Sequence, residues 1–229
     1  MNTQEIKEKL YNLGADLCGI ASVDRFSEAP IGYHPLDVLP TCKSVIAFAT
    51  RFVSGTLACN TAVPYTVVRN ILSDKMDKIA VQFCIDLENE GILAVPTRTN
   101  AAEYDDKTGR HRNIISAKHA AQAAGLGTIG RHSLLITPEY GSMVWLSVIL
   151  TELELEPDVL LERLCNDCNL CIDVCPVNAL ENIEMNQKAC WEHAFGEVRQ
   201  DWRINCHKCR DICPYLFGSK NKMFRRDYC

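Results

Sequence analysis

Apolar and polar positions divide the chain into two unlike stretches. Up to about residue 158 the apolar positions recur at helix and strand periods; beyond that they thin out and cysteine becomes dense. Asn2 with Glu5 three residues on matches a capping box, and Ile6, Leu10 and Leu13 share one helical face before Gly14. Leu17 to Ser22 reads as a short buried strand, and Arg25 to Thr41, with Pro30, Gly32, Pro35 and Pro40, as a loop. Ser44 to Thr50 is an apolar run bounded by turn residues, which predicts a central strand, and Val53 to Thr66 reads as irregular. Ser73 is the expected cap of a helix through Met76, Ile79, Ala80, Phe83 and Leu87, ended by Gly91, with a strand from Ile92 to Val95. A polar loop from Arg98 to Arg112, a helix from Ile114 to Ala124 and a strand from Met143 to Thr151 complete the pattern.

Strands interleaved with helices predict an α/β-layered or α+β unit over residues 1–158, and the cysteine-rich remainder, 159–229, a second module. The chain has 229 residues, 47% of them apolar and 23% charged, as expected for a soluble globular protein with a real core. The N-terminus lacks a basic start followed by an apolar run, and the apolar run Met143 to Leu150 is too short to span a bilayer. The expected setting is a reducing cytoplasm without membrane contact. A formal charge of −5 gives no support to nucleic acid as the main partner. Residues 196–229 depart from that balance, with eight Lys/Arg against four acids. Such a tail is solvated or offsets the negative charge of bound clusters.

Eight cysteines fall within 49 residues. Cys165, Cys168, Cys171 and Cys175-Pro176 form a C-x2-C-x2-C-x3-C-P run; Cys206, Cys209 and Cys213-Pro214 form a C-x2-C-x3-C-P run, with Cys190 between them. The first run has the bacterial-ferredoxin spacing, in which the cysteine before proline ligates the other cluster. The expectation is therefore two [4Fe–4S] clusters, one on Cys165, Cys168, Cys171 and Cys213, the second on Cys175, Cys190, Cys206 and Cys209. Zinc normally takes two well-separated pairs, and disulfide scaffolds carry cysteine throughout, so both fit this spacing poorly. Cys190 completes the second set only because that set otherwise lacks a fourth thiolate.

Gly125-Leu126-Gly127-Thr128-Ile129-Gly130 spells G-x-G-x-x-G, but a helix precedes it and a strand follows, the reverse of a dinucleotide site. The glycines bring backbone close to something bulky or supply tight turns. The run Lys118 to Arg131, continued by Leu134-Leu135-Ile136-Thr137-Pro138-Glu139-Tyr140-Gly141-Ser142, resembles the epoxyqueuosine reductase family; reductive dehalogenases are more distant relatives with the same layout. Leu150-Thr151 and Leu155 fit too, with weaker echoes at Gly14 to Ala21 and Leu39 to Ile46.

The resemblance implies a nitroreductase-like α+β domain that binds a base-off cobalamin, followed by a ferredoxin-like module that feeds it electrons. Gly125, Gly127, Gly130 and Arg131 would then lie along the corrinoid, with Tyr140, Gly141 and Ser142 on the adjoining turn. It implies a reductase with an external donor such as ferredoxin or flavodoxin and a small-molecule or modified-nucleoside substrate. A flavin-binding reductase and a non-catalytic electron carrier or activator are the alternatives. Two departures qualify this. The family's proton-donating Asp has no counterpart where counting back reaches His111, so His111, Asp105 and Asp106 stand as candidates beside Glu103 and Tyr104. The chain also ends 16 residues after Cys213, without the extension that helps such enzymes engage transfer RNA, so transfer RNA is not the expected substrate.

Overall fold

The computed structural model describes residues 1–99, 103–105, 110–182, 184–195 and 203–221. In chain order the elements are α1 (Thr3–Leu13), β1 (Leu17–Ser22), α2 (Pro35–Val38), β2 (Ser44–Arg51), α3 (Val63–Glu88), β3 (Ala94–Pro96) and the paired strands β4 (Glu103–Asp105) and β5 (Arg110–Arg112). Then come α4 (Ala117–Ala123), the pair β6 (Thr128–Ile129) and β7 (Leu135–Ile136), β8 (Val144–Thr151), α5 (Leu170–Asp173), α6 (Gln187–Phe195) and α7 (Lys208–Asp211).

Helix α1 forms as its capping box predicts. The Asn2 side chain accepts from the Glu5 N–H at 3.0 Å, and the Asn2 N–H donates to the Glu5 carboxylate at 2.8 Å. Such a cap stabilises a helix by roughly 1 kcal/mol. Gly14 closes α1 at φ +105°, a conformation that glycine adopts without penalty.

The main sheet has four strands in the order β1-β2-β8-β3, each neighbouring pair antiparallel. The layered domain is therefore α+β, and β2 is central as its unbroken apolar run implied. Alternation along β2 divides the core into two layers. Ile46 and Phe48 pack with Ile6, Leu10, Met76, Ile79 and Phe83 of α1 and α3. Val45, Ala47 and Ala49 pack instead with Ala120, Ala121 and Ala124 in and beside α4. Where α4 crosses the sheet the facing side chains are small, alanines above all, and α4 lies correspondingly close: a Cβ on Gly19 would come within 2.2 Å of the Ala124 carbonyl oxygen.

Several boundaries differ from the sequence expectation. Helix α3 begins at Val63, ten residues before Ser73, because Pro64 suits a first helical turn and Tyr65 and Leu72 find apolar partners across the chain. Ser73 is therefore no cap. It is buried mid-helix, donating to the Arg69 carbonyl at 2.8 Å and accepting from the Trp145 indole N–H at 2.9 Å. The proline-rich loop holds the short α2, whose first turn Pro35 starts and whose Leu36 N–H the His34 imidazole caps at 3.1 Å. The polar segment 98–112 contains the β4–β5 pair instead of remaining loop throughout. Helix α4 is shorter than predicted, and β3 starts at Ala94 rather than Ile92.

Past β8, Asp158 is the last residue strapped to the sheet. Its N–H donates to the Ile20 carbonyl at 2.9 Å, and its carboxylate accepts from the Ile20 N–H at 2.8 Å and from Lys7 at 2.5 Å. Residues 159–169 then run without helix or strand. No helix among the described residues is long and apolar enough to cross a membrane.

Candidate metal centre

The cysteine segments wrap around themselves through turns that asparagine and aspartate tolerate. Asp167 and Asn169, beside the steps of the first run, take φ of +56° and +64°, and Asn178 takes +50° after Cys175. Cys165, Cys168, Cys171 and Cys213 line one small cavity together with Arg131 and His132. Burial pushes the Cys213 thiol up to about 11, and the thiols that add to this are Cys165, Cys171 and Cys168. Burial likewise pushes Cys190 up to about 12, with Cys209, Cys206 and Cys175 adding to it. Cys213 thus lies near Cys165, Cys168 and Cys171, and Cys190 near Cys175, Cys206 and Cys209. Cys209 also feels Cys171, so the groups adjoin.

The donor set suits clusters better than single ions. Among the described residues no three His, Cys, Asp or Glu side chains converge as one ion requires. The cysteines, Cys229 aside, are free, and a backbone N–H from Ala179 already reaches the Cys175 sulfur at 3.3 Å. That N–H would stabilise a thiolate or a reduced cluster. Raised thiol pKa values mean that cluster loading must expel protons.

One group is joined to the layered domain by Arg210, a charge without an ion-pair partner among the described residues. Arg210, 5% exposed, donates to the Tyr65 hydroxyl on α3 at 2.9 Å. Its guanidinium lies 5.7 Å from the Phe52 ring centroid, and the imidazole of His207 stacks on Tyr65 at 4.7 Å. Arg210 lowers the pKa of its neighbour Cys209, which burial raises to about 11. The sequence marked Arg210 only as one charge in a basic tail. Nothing local could link it to Tyr65, 145 positions earlier.

The glycines expected beside a corrinoid are occupied by the chain itself. A Cβ on Gly125 would meet the Val159 carbonyl oxygen at 2.4 Å, and one on Gly127 the Ile136 carbonyl oxygen at 2.1 Å. Gly130 faces the Ile136 side chain at 2.7 Å and the His132 ring at 2.9 Å, and Gly141 faces the Tyr215 and Leu216 carbonyl oxygens at 2.4 Å. Arg131 donates to the Glu181 carbonyl at 3.0 Å. Tyr140 is buried, with Lys220 5.8 Å from its ring centroid. Ser142 gives its N–H to the Tyr215 and Leu216 carbonyls at 3.1 and 3.2 Å, while its hydroxyl is buried without a partner among the described residues. Of these, Gly125, Arg131, Gly141 and Ser142 contact residues of the cysteine module.

The proton-donor candidates lie elsewhere. His111 stacks on Trp191 of α6 with centroids 3.9 Å apart, and Gln187 brackets its backbone, accepting from its N–H at 2.9 Å and donating to its carbonyl at 3.2 Å. Arg110 pairs with Glu184. The β4–β5 pair is thus clamped to the helix that carries Cys190, a contact the sequence did not signal. Asp105 is half-buried opposite Arg110, and Asp106 lies outside the described residues.

Fold and cysteine geometry together define an iron–sulfur protein: models of the 4Fe-4S binding domain match residues 159–181 and 204–216. An epoxyqueuosine reductase of Atelocyanobacterium thalassa is 30% identical over 265 residues, covering 98% of this chain and 81% of its own. The chain belongs to the epoxyqueuosine reductase family. It spans less than two thirds of the relatives from Listeria monocytogenes, Staphylococcus aureus and Bacillus subtilis, 30%, 63% and 65% of their lengths. The fold is shared with an epoxyqueuosine reductase solved with a tRNA-Tyr epoxyqueuosine-modified stem loop (TM-score 0.61, 23% identity, 93% of this chain and 64% of that one). It is shared equally with a reductive dehalogenase whose structure was described in terms of B12-dependent dehalogenation (TM-score 0.67, 18% identity, 94% and 32%).

Proposed function

We propose that this chain is a reductase in which [4Fe–4S] clusters held by residues 159–229 deliver electrons to a reaction centre in the layered domain, residues 1–158. The first cluster is assigned to Cys165, Cys168, Cys171 and Cys213, the second to Cys175, Cys190, Cys206 and Cys209. The observation that carries this reading is the cavity that Cys165, Cys168, Cys171 and Cys213 share, with Cys190 near Cys175, Cys206 and Cys209, and Arg210 bonded to Tyr65. Bound there, the clusters supply single electrons. The chain's own part is to exclude water from Cys171 and Cys213, to set a buried positive charge beside Cys209 and to hold the module against α3. The exposed Cys168 is where an external donor such as a ferredoxin or flavodoxin would approach. The setting that suits such thiols is a reducing cytoplasm.

The substrate class proposed is a modified nucleoside, after the names of the relatives. The relative bound to a modified stem loop weighs against leaving transfer RNA aside, and it enters the proposal as the substrate's carrier. The reductive dehalogenase supports a corrinoid as the reaction centre. Gly125, Gly127, Gly130 and Arg131, with Tyr140, Gly141 and Ser142 on the adjoining turn, are proposed to lie along it; the chain's own atoms fill the Cβ side of the four glycines, so the ring would approach their opposite side. Anaerobically reconstituted protein titrated with cob(II)alamin and followed by EPR decides the point. A shift to the base-off signal is expected if the corrinoid binds. An unchanged signal removes it and leaves flavin, tested in the same way by absorption, or a pure carrier role.

A further inference from the structure

His132 has no role in that reading, yet it is the most constrained polar group around the first cysteine set. It sits in the turn between β6 and β7, 3% exposed, on the wall of the cavity lined by Cys165, Cys168, Cys171 and Cys213. Its tautomer follows from one contact. The Leu134 backbone N–H points at Nδ1 at 3.2 Å, and a backbone N–H can only donate, so Nδ1 is the acceptor. In the neutral ring the proton is therefore on Nε2. That atom is buried and has no partner among the described residues. A buried donor left unpaired carries its full desolvation cost.

The ring cannot easily turn away. Gly130 packs on its Cε1–Nδ1 edge, where a Cβ would come within 2.9 Å of Cε1. Arg131 ties the turn to the Glu181 carbonyl, and Lys118 ties it to the Ser133 carbonyl at 3.1 Å. Burial, with Arg210 and Lys118 nearby, lowers the His132 pKa to about 4, in keeping with the neutral form.

We propose that His132 donates a hydrogen bond from Nε2–H to a sulfur of the cluster held by Cys165, Cys168, Cys171 and Cys213, and so raises that cluster's reduction potential. The donor stabilises the added negative charge of the reduced cluster. Gly130 then serves to let the imidazole fold over that site. The proposal rests on the cluster assignment above, and its test separates the two.

Anaerobically reconstituted full-length protein, His132→Leu and His132→Gln are compared by iron content and by mediator-buffered dithionite titration read by EPR. Leucine keeps the bulk without the donor; the glutamine amide restores one. In His132→Leu one of the two midpoints is expected to fall by about 59 mV, a tenfold change in the oxidised-to-reduced ratio at fixed potential, with the other unmoved and His132→Gln returning toward wild type. Equal midpoints in three fully loaded proteins overturn the hydrogen bond and leave the clusters standing. If His132→Leu does not fold, ENDOR on 15N-histidine-labelled wild type takes its place. Coupling of the cluster spin to one histidine nitrogen and an exchangeable proton supports the bond, and its absence overturns it. Wild-type protein that binds no iron overturns both the bond and the cluster reading.

Discussion

The layered domain and the cysteine module hold together by different means. Residues up to Leu155 supply both large apolar clusters, with Phe48, Phe83, Ile46, Met76 and Ile149 wholly or almost wholly enclosed. From residue 159 on, the buried apolar set among the described residues is Cys171, Ala179, Leu180, Ala194, Cys213 and Leu216, two of which are proposed ligands. Its helices are short, of 4, 9 and 4 residues. A stretch that small cannot bury enough surface to repay its conformational entropy, whereas metal binding can add directly to folding free energy. The first region should fold without cofactor; the second should owe its order to iron and to its seam with the first.

The strongest way to break this comparison is to remove the clusters. In protein stripped of iron and kept reduced, amide exchange should show α5 and α7 losing essentially all protection while β2, β8 and α3 keep theirs. Uniform loss across the chain would mean that the regions share one cooperative unit. A narrower version uses Cys190→Ala, expected to hold about four irons instead of about eight. Unchanged loading would strike Cys190 from the second set.

The converse experiment strikes the apolar side. Phe48→Ala empties a fully buried position between the sheet and α3 and should cost about 3–5 kcal/mol of unfolding free energy in denaturant melts. Iron per folded molecule should stay the same. At the seam, Tyr65→Phe takes the acceptor from the buried Arg210 and should cost about 1.5–3 kcal/mol. The loss should show as faster exchange in α7 before any change in the sheet.

The smallest effect comes from pH and is read on two buried thiols of the layered domain. Burial raises the Cys18 and Cys84 thiols from 9.0 to about 12. Both stay protonated in the fold, so their contribution is complete below pH 9 and is lost as pH rises toward 12, because only the unfolded chain ionises in between. At pH 10 each should cost about 1 kcal/mol relative to pH 8, and Cys84→Ala should flatten that decline in urea midpoints.

How far the sequence carried each region follows the same division. Where a periodic run buries itself locally, as in α1, β1, β2 and β8, pattern and turn chemistry named the element nearly to the residue. Where a tertiary partner rescues an irregular-looking stretch, they did not. Tyr65 and Leu72 draw α3 ten residues further back, and Gln187 and Trp191 hold β5. The glycine motif shows the limit most clearly: its letters point to close approach, but only the fold shows that Val159, Ile136 and His132 are what approach.

By itself, then, the sequence determined a layer of helices and strands with β2 as a central strand and suggested a grouping of eight cysteines, because helix period, strand period and cysteine spacing are local codes read within a few residues. Only the tertiary structure decided that Arg210 is a buried cation answered by Tyr65, that His132 overlooks the first cysteine set and that His111 lies flat on Trp191. Those relations depend on burial and on contacts between residues tens to more than a hundred positions apart, and no local pattern encodes them.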